Sequence, residues 1–453
     1  MTYLLGIFKR WLLLGFLALP AKIQGFLARR LGQWLSPTYQ GMAFTLSDLA
    51  HQNEQHPAFQ FSRRAIGQIH PRSIHQFSKI FFHWLNSSRR KRATDQKWQQ
   101  CFPAFLTLDI VPPQANGAKP TTQKHLDGSL LNNLIHECKD NGTYIFELTG
   151  TEPLRHPQIL TLIERHSDAL FLIHSQGKML SDLVLKQLIK TANVFVWIHM
   201  AGFSSETDAI LGPQAHENAM AAMKRLKEMA IPFGVNLITR ADNYRVVTSN
   251  GYVEQLMEQG SLSLKYDLYI PQNIEEAKQL LNTAELLEVV KRTIDIRNIY
   301  PILALEPTLE TCQKMGCSAQ LGLSLHISYQ GFVHPCRHIP FADHRLGEGR
   351  SLREIANRQG LLKDLRSKRM GHEKSCYFVD HPQLLLNQYL GVTELDGQIP
   401  ATKGSNSANF VEILENLNQM NQPDNSPDLL DQYYQQDQYK ELSKFIYESI
   451  VPQ

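Results

Sequence analysis

Cysteine is scarce in this chain, and its distribution is uneven. The 6 cysteines among 453 residues are too few for the disulfide framework that stabilises small secreted domains. Two of them, Cys101 and Cys138, stand apart and are predicted to be buried as small apolar residues. Clustered cysteines in a long chain of this kind favour metal binding in a reducing compartment. One short stretch holds the other four: Cys312, Cys317, Cys336 and Cys376.

An excess of charge is also missing. The formal net charge is only +3, and the basic run at residues 89–92 lacks the interleaved aromatic side chains that stack on bases. These two observations exclude nucleic acid as the expected partner. With 43% hydrophobic and 20% charged residues, the composition is that of a folded globular protein, long enough for two or three domains.

The N-terminal apolar run is too short to span a membrane. Residues 11–21 form an uncharged run of 11 residues, whereas a spanning helix needs roughly 17 to 25. Apolar side chains continue beyond it at roughly helical spacing, which suits a helix lying in the plane of a membrane interface. Residues 1–35 are therefore predicted to attach the protein peripherally to the cytoplasmic face of the inner membrane. The alternative is a helix packed on the protein's own core. The flanking cations are Lys9, Arg10, Lys22, Arg29 and Arg30.

From about residue 102, short apolar runs alternate with amphipathic stretches, which is the pattern of βα units. Six such units predict an open parallel barrel of the α/β class, whose reactive loops follow the C-terminal ends of the strands. Strands are predicted at residues 104–110, 144–148, 169–174, 194–199, 232–239 and 266–270. Helices are predicted between them, for example at residues 130–140, 159–166 and 217–229.

Several motifs point to one family. The segment 148–153, Leu-Thr-Gly-Thr-Glu-Pro, looks like a Gly-Gly-Glu-Pro segment that holds the amino group of S-adenosylmethionine (SAM). The Gly-Cys pair at Cys317 and the Pro-Cys pair at Cys336 are similar to a SPASM-type cysteine module. Residues 75–385 thus resemble a radical SAM enzyme with a SPASM-like extension. The resemblance implies a partial (β/α)6 TIM-like barrel of the radical SAM type, followed by a small SPASM-like C-terminal module.

The resemblance also implies two sites. The implied SAM site consists of Gly150, Thr151, Glu152, Pro153, Ser175 and Gln176. The implied metal site, an auxiliary iron–sulfur cluster or structural zinc, consists of Cys312, Cys317, Cys336 and Cys376. Both sites depart from the family pattern. Tyr329 stands where relatives have a cysteine, and residues 199–202 read His-Met-Ala-Gly where relatives have Ser-x-Glu-Gly. Parts of the SAM site have therefore been lost.

The loop after the first predicted strand lacks the motif on which radical chemistry depends. Relatives place Cys-x3-Cys-x2-Cys there, whereas this chain has no cysteine between Cys101 and Cys138. A cluster that activates SAM needs three thiolates and leaves one iron open to SAM. The polar residues that the loop offers instead, without a recognisable ligand spacing, are Gln123, Lys124, His125 and Asp127.

The chain divides into four predicted segments: an N-terminal amphipathic and helical region (1–95), the barrel (96–300), the SPASM-like module (301–385), and a loosely packed linker with a C-terminal helix (386–453). We expect a degenerate radical SAM-like protein, non-catalytic or repurposed, that binds a small molecule or a partner protein at the cytoplasmic membrane face. One alternative is an active SAM-dependent iron–sulfur enzyme, performing redox or group-transfer chemistry with an auxiliary cluster on the C-terminal cysteines. The other is a zinc-stabilised structural protein.

Overall fold

The computed structural model describes residues 56–97, 102–112, 125–269, 278–305, 318–319, 321–337, 342–358 and 435–440, together with a few isolated residues. Two helices, α1 (Pro57–Gln68) and α2 (Pro71–Lys97), precede the first strand. Within these described ranges, no helix has both the length and the apolar character needed to cross a bilayer. Most of the predicted membrane-interface segment, residues 1–35, lies outside the described residues.

Nine strands form one sheet. Their order is β7-β6-β5-β4-β3-β2-β1-β8-β9, and every neighbouring pair is parallel except the antiparallel pair β8 and β9. The strands are β1 (Phe105–Asp109), β2 (Ile145–Thr149), β3 (Leu170–Ser175), β4 (Val194–Met200), β5 (Phe233–Thr239), β6 (Ser263–Leu268), β7 (Leu303–Leu305), β8 (Ser324–Ile327) and β9 (Val333–His334). Eight neighbouring parallel strands, from β7 through β1 to β8, confirm the predicted α/β class.

Helices follow the strands, as expected for βα units. Asp127 caps the helix after β1, because its Oδ1 accepts hydrogen bonds from the amides of Ser129 and Leu130 at 2.9 and 3.0 Å. Asn282 and Glu285 form a capping box at the helix before β7. The helices are α3 (Gly128–Asp140), α4 (Ile159–Arg165), α5 (Asp182–Thr191), α6 (Ser204–Leu211), α7 (Ala215–Glu228), α8 (Tyr244–Val247), α9 (Asn250–Glu258), α10 (Thr283–Ile299) and α11 (Leu352–Asn357).

The sheet is strongly curved. Lys265 on β6 lies 2.7 Å from Glu147 on β2, although four strand spacings separate these strands in the sheet order. In a flat sheet this separation would be about 19 Å, at about 4.8 Å per strand. Arg337, which follows β9, likewise reaches Asp267 on β6. The strands therefore enclose an interior, as in a partial barrel.

Alternate residues of each strand face opposite ways. Leu106, Phe146, Phe171 and Val196 belong to the apolar core that the helices cover. The other face points to the interior and carries polar side chains. This alternation explains an error in the sequence prediction, which placed the sixth strand at 266–270 rather than Ser263–Leu268. Polar residues at its start obscured the strand, because they face the interior.

The described part of the C-terminal tail packs against the barrel. Asp437 forms two contacts with Arg297 of α10, at 2.5 and 3.0 Å, and neither side chain is more than 3% exposed. His56, at the start of α1, contacts the Gln438 carbonyl oxygen through Nε2 at 2.7 Å. Residues near both ends of the described chain thus meet on one side of the barrel.

Candidate functional site

A cluster of polar and ionisable side chains occupies the barrel interior. All but one of its members lie on seven of the strands, at positions that alternate with the apolar core residues, and the remaining one, Arg337, follows β9. Most of these side chains are buried or half-buried. The cluster consists of Thr107, Asp109, Glu147, His174, His199, Asn236, Lys265, Asp267, His326 and Arg337.

Glu147 on β2 accepts three hydrogen bonds in this interior. Its Oε1 lies 2.8 Å from His174 Nε2 and 2.7 Å from Lys265 Nζ, and its Oε2 accepts from Thr107 Oγ1 at 3.1 Å. Burial by itself raises the pKa of the Glu147 carboxyl. The Lys265 ammonium and the hydrogen bond from His174 outweigh burial and hold this pKa well below its ordinary value. Glu147 is therefore a buried carboxylate.

Two histidines extend from this carboxylate. His174 Nδ1 lies 2.8 Å from His199 Nε2 on the next strand. Burial lowers the pKa of both imidazoles, and that of His199 falls to about 3. Both rings are therefore neutral at pH 7. A row of Glu147, His174 and His199 crosses the interior from β2 to β4.

Arg337 brings the segment after β9 into contact with the barrel interior. Its Nη2 lies 2.5 Å from Asp267 Oδ2, and the same oxygen accepts a hydrogen bond from Asn236 Nδ2 at 3.2 Å. Burial by itself lowers the pKa of Arg337, but Asp267 and Glu147 raise it above its ordinary value. Arg337 therefore stays charged inside the barrel. It directly follows Cys336 in the chain.

A second carboxylate–histidine row lies where β1 meets β8. Asp109 accepts from Thr149 Oγ1 at 2.6 Å, and its other oxygen is 3.4 Å from His326 Nε2. The His326 and His334 rings are 5.5 Å apart. Burial by itself raises the pKa of Asp109, whereas His326 and Thr149 lower it below its ordinary value. Asp109 is therefore ionised at neutral pH.

The predicted SAM residues occupy two neighbouring loops, which follow β2 and β3. Gly150 has φ 98°, and a Cβ there would lie 3.1 Å from the Val111 carbonyl oxygen, so the position requires glycine. The buried carboxylate of Glu152 accepts from the Gln176 amide at 3.1 Å and so ties the two loops together. A short 3-10 helix, Pro153–Arg155, begins at the predicted proline.

The remaining two residues of that predicted set lie beside these. Thr151 is half-buried between Gly150 and Glu152. Ser175 ends β3, and its Oγ accepts from the Gly177 amide at 2.9 Å. The structure thus brings the six predicted residues to one edge of the sheet, the C-terminal edge of β2 and β3.

The titration of Glu152 gives a testable pH dependence. Burial raises the pKa of its carboxyl to about 7, although Ser175 and the Gln176 amide act to lower it. Because the raised pKa belongs to the folded state, stability should fall as the pH rises from about 4.5 to about 7, by at most about 3 kcal/mol. Glu152→Gln should remove this contribution. Urea unfolding of both proteins between pH 5 and 8 measures it, and parallel stability curves would contradict the assignment.

The predicted metal ligands are described only in part. Cys336 is half-buried just after β9, while Cys312, Cys317 and Cys376 lie outside the described residues. Cys138 is fully buried on α3, as expected, and burial raises the pKa of its thiol well above its ordinary value. Among the described side chains, no group of three histidine, cysteine, aspartate or glutamate residues is placed to hold a metal ion.

The loop after β1 lacks the thiolate ligands that a SAM-activating cluster needs. Residues 110–127, which connect β1 to α3, contain no cysteine. The next cysteine after this segment, Cys138, belongs to the apolar core rather than to the strand ends. Asp127, one of the harder ligands of this loop, is engaged as a helix cap. The loop thus supplies none of the three thiolates that such a cluster needs.

Comparison with known proteins places the fold. No family model and no curated protein sequence matches the chain. The fold is that of radical SAM enzymes. Streptococcus suis SuiB is similar at 14% identity and a TM-score of 0.51, over 66% of this chain and 74% of SuiB. SuiB bound to S-adenosylmethionine gives 16% identity and a TM-score of 0.50, over 66% and 72% of the two chains.

Sequence reasoning did not identify the charged interior. Glu147, His174, His199 and Lys265 sit inside apolar strands, where each reads as an isolated polar residue. The available signal was their alternation with core residues, since a polar residue at every second position marks a second, non-core face. The contact between Lys265 and Glu147 depends on sheet curvature, which the sequence pattern does not encode.

Proposed function

We propose that this protein is a degenerate radical SAM-type barrel that has lost its catalytic cluster and binds a small molecule or a partner protein without radical chemistry. The observation that carries the proposal is the absence of cysteine from residues 110–127, which follow β1, since parallel barrels carry their reactive loops after the C-terminal ends of the strands. The ordered polar interior supports a binding role, because prearranged charges and hydrogen-bonding groups orient a ligand at low entropic cost.

Iron content tests the loss of the cluster. A variant with serine at Cys312, Cys317, Cys336 and Cys376 retains the barrel mouth and removes the C-terminal thiols. After anaerobic reconstitution, we expect this variant to contain no iron or sulfide, because no thiolate-bearing loop remains. Stoichiometric iron and sulfide in the same variant would overturn the proposal.

The second candidate is a SAM-dependent enzyme that uses an auxiliary cluster. The observation in its favour is the position of Cys336, immediately before Arg337, whose side chain enters the barrel interior. A cluster on the C-terminal cysteines would therefore lie next to a segment that contacts the site. Brown wild-type protein whose iron is lost in Cys336→Ser and kept in Cys138→Ser would support this candidate. Zinc in place of iron would support a zinc-stabilised structural role.

We further propose a peripheral location on the cytoplasmic face of the inner membrane, through residues 1–35. The short apolar run and its cationic flanks support this proposal, because such helices bind anionic membrane surfaces. Deleting residues 1–35 should move the protein from the membrane fraction to the soluble fraction. Full-length protein that is already soluble, or that alkaline carbonate fails to strip from membranes, would contradict it.

A further inference from the structure

We infer that the barrel interior beside β4, β5 and β6 binds its ligand through a protonated amine, with His199 and Asn236 as the hydrogen-bond acceptors. This inference rests on the proposed function, in which the barrel binds a small molecule. It follows from the proton positions in the histidine row, from an unpartnered amide oxygen and from the indole beside them.

The hydrogen-bond network fixes the proton positions in the histidine row. A carboxylate only accepts, so His174 donates to Glu147 through its Nε2–H. Neutral His174 then carries a lone pair on Nδ1, and the 2.8 Å contact with His199 Nε2 must be donated by His199. The remaining nitrogen of His199, Nδ1, is left as an acceptor. The half-buried ring presents this acceptor on the interior face of β4.

A second acceptor stands next to it. Asn236 is the register partner of His199 on the neighbouring strand and is fully buried. Its Nδ2 donates to Asp267, which assigns the amide orientation. Within the described part of the chain, its Oδ1 has no hydrogen-bond partner. A buried acceptor left unsatisfied costs about 1–3 kcal/mol, so an occupant that donates to it is favoured.

The number of hydrogen-bond donors selects the kind of occupant. The charged groups of the described interior already face one another: Asp109 faces His326, Glu147 pairs with Lys265, and Asp267 pairs with Arg337. An ammonium group carries three N–H donors and can satisfy both neighbouring acceptors, whereas a hydroxyl group carries one donor.

An aromatic wall completes the site. Trp197 lies two residues before His199, on the same face of β4. A Cβ at Gly234 would lie 2.5 Å from Cζ3 of this ring, so glycine leaves the space in which the indole rests. Aromatic rings attract ammonium groups. Two neighbouring acceptors and an indole together match an alkylammonium group better than an anion.

Calorimetric titration of the full-length protein tests this inference with two matched probes. Putrescine carries two ammonium groups, and 1,4-butanediol has the same chain length without charge. We expect saturable binding of putrescine only. Asn236→Leu and His199→Phe should each weaken it at least about tenfold, because each loses a hydrogen bond to a charged donor. Asn132→Leu, on the outer helix α3, should bind like the wild type.

A second measurement does not depend on the folding of the variants. In wild-type protein labelled with 15N-histidine, putrescine should shift the Nδ1 resonance of His199, and 1,4-butanediol should not. Equal binding of the two probes, or no binding of putrescine with an unmoved resonance, would overturn the inference and assign the two acceptors to water. The iron measurement tests the proposed loss of the cluster independently of putrescine binding. A failure of the proposed function can therefore be distinguished from a failure of this inference.

Discussion

Replacing Glu147 by leucine is expected to lower the free energy of unfolding by about 3–5 kcal/mol, the cost of removing one partner from a buried ion pair. Glu147 is the acceptor for both Lys265 and His174, with contacts of 2.7 and 2.8 Å. Leucine fills a similar volume but leaves the Lys265 ammonium buried without its carboxylate. Urea unfolding at pH 7, followed by circular dichroism, measures the loss.

Two control variants test whether the loss of stability comes from the buried ion pair. Glu147→Gln keeps an acceptor for His174 and should cost less than the leucine variant. Glu164→Leu removes a carboxylate from a solvent-exposed pair with Lys190, where we expect no measurable change. Equal stability of Glu147→Leu and Glu164→Leu would show that the interior network contributes little to folding.

Arg297→Met should have an effect of similar size, about 3–5 kcal/mol, because it leaves the Asp437 carboxylate uncompensated in a site where it is 0% exposed. The guanidinium also donates to the Ala304 carbonyl oxygen at 3.3 Å. We therefore expect residues 435–440 to detach from α10. Chemical unfolding gives the energy, and amide hydrogen exchange in this segment reports the detachment.

The double variant Arg297→Met with Asp437→Leu is the matched test. Removing both charges leaves no buried ion, so much of the lost stability should return. If the single variant is as stable as the wild type, or if the double variant loses the sum of the two single effects, the pair does not act as a coupled buried contact.

Much of the barrel could be predicted from the sequence because its strands are short apolar runs between amphipathic helices. Five of the predicted strands differ from β1 to β5 by no more than one residue at either end. The sixth was displaced because Ser263 and Lys265 interrupt its apolar pattern. Local hydrophobicity thus located β1 to β5, each of which begins with an apolar residue.

Only those residues of the candidate site that directly follow a predicted strand could be predicted from the sequence. Gly150 and Glu152 follow β2 directly, and parallel strand order places them beside the loop after β3. The contact between Lys265 and Glu147 joins strands that are not neighbours, and it depends on the curvature of the sheet. The predicted cluster of Cys312, Cys317, Cys336 and Cys376 stays a prediction, since only Cys336 lies within the described residues.

The pairing of β8 with β1 has a consequence for how the chain is made. β1 is the first strand to be translated, yet one of its two partners in the sheet, β8, is translated only after β7. During synthesis one edge of β1 therefore stays open to other chains, since unpaired strand edges promote aggregation. Arg337 is synthesised later still, so the Arg337 counterion of Asp267 is missing until residue 337 has been added. A nascent chain that stops before residue 324 lacks both the edge partner and this cation.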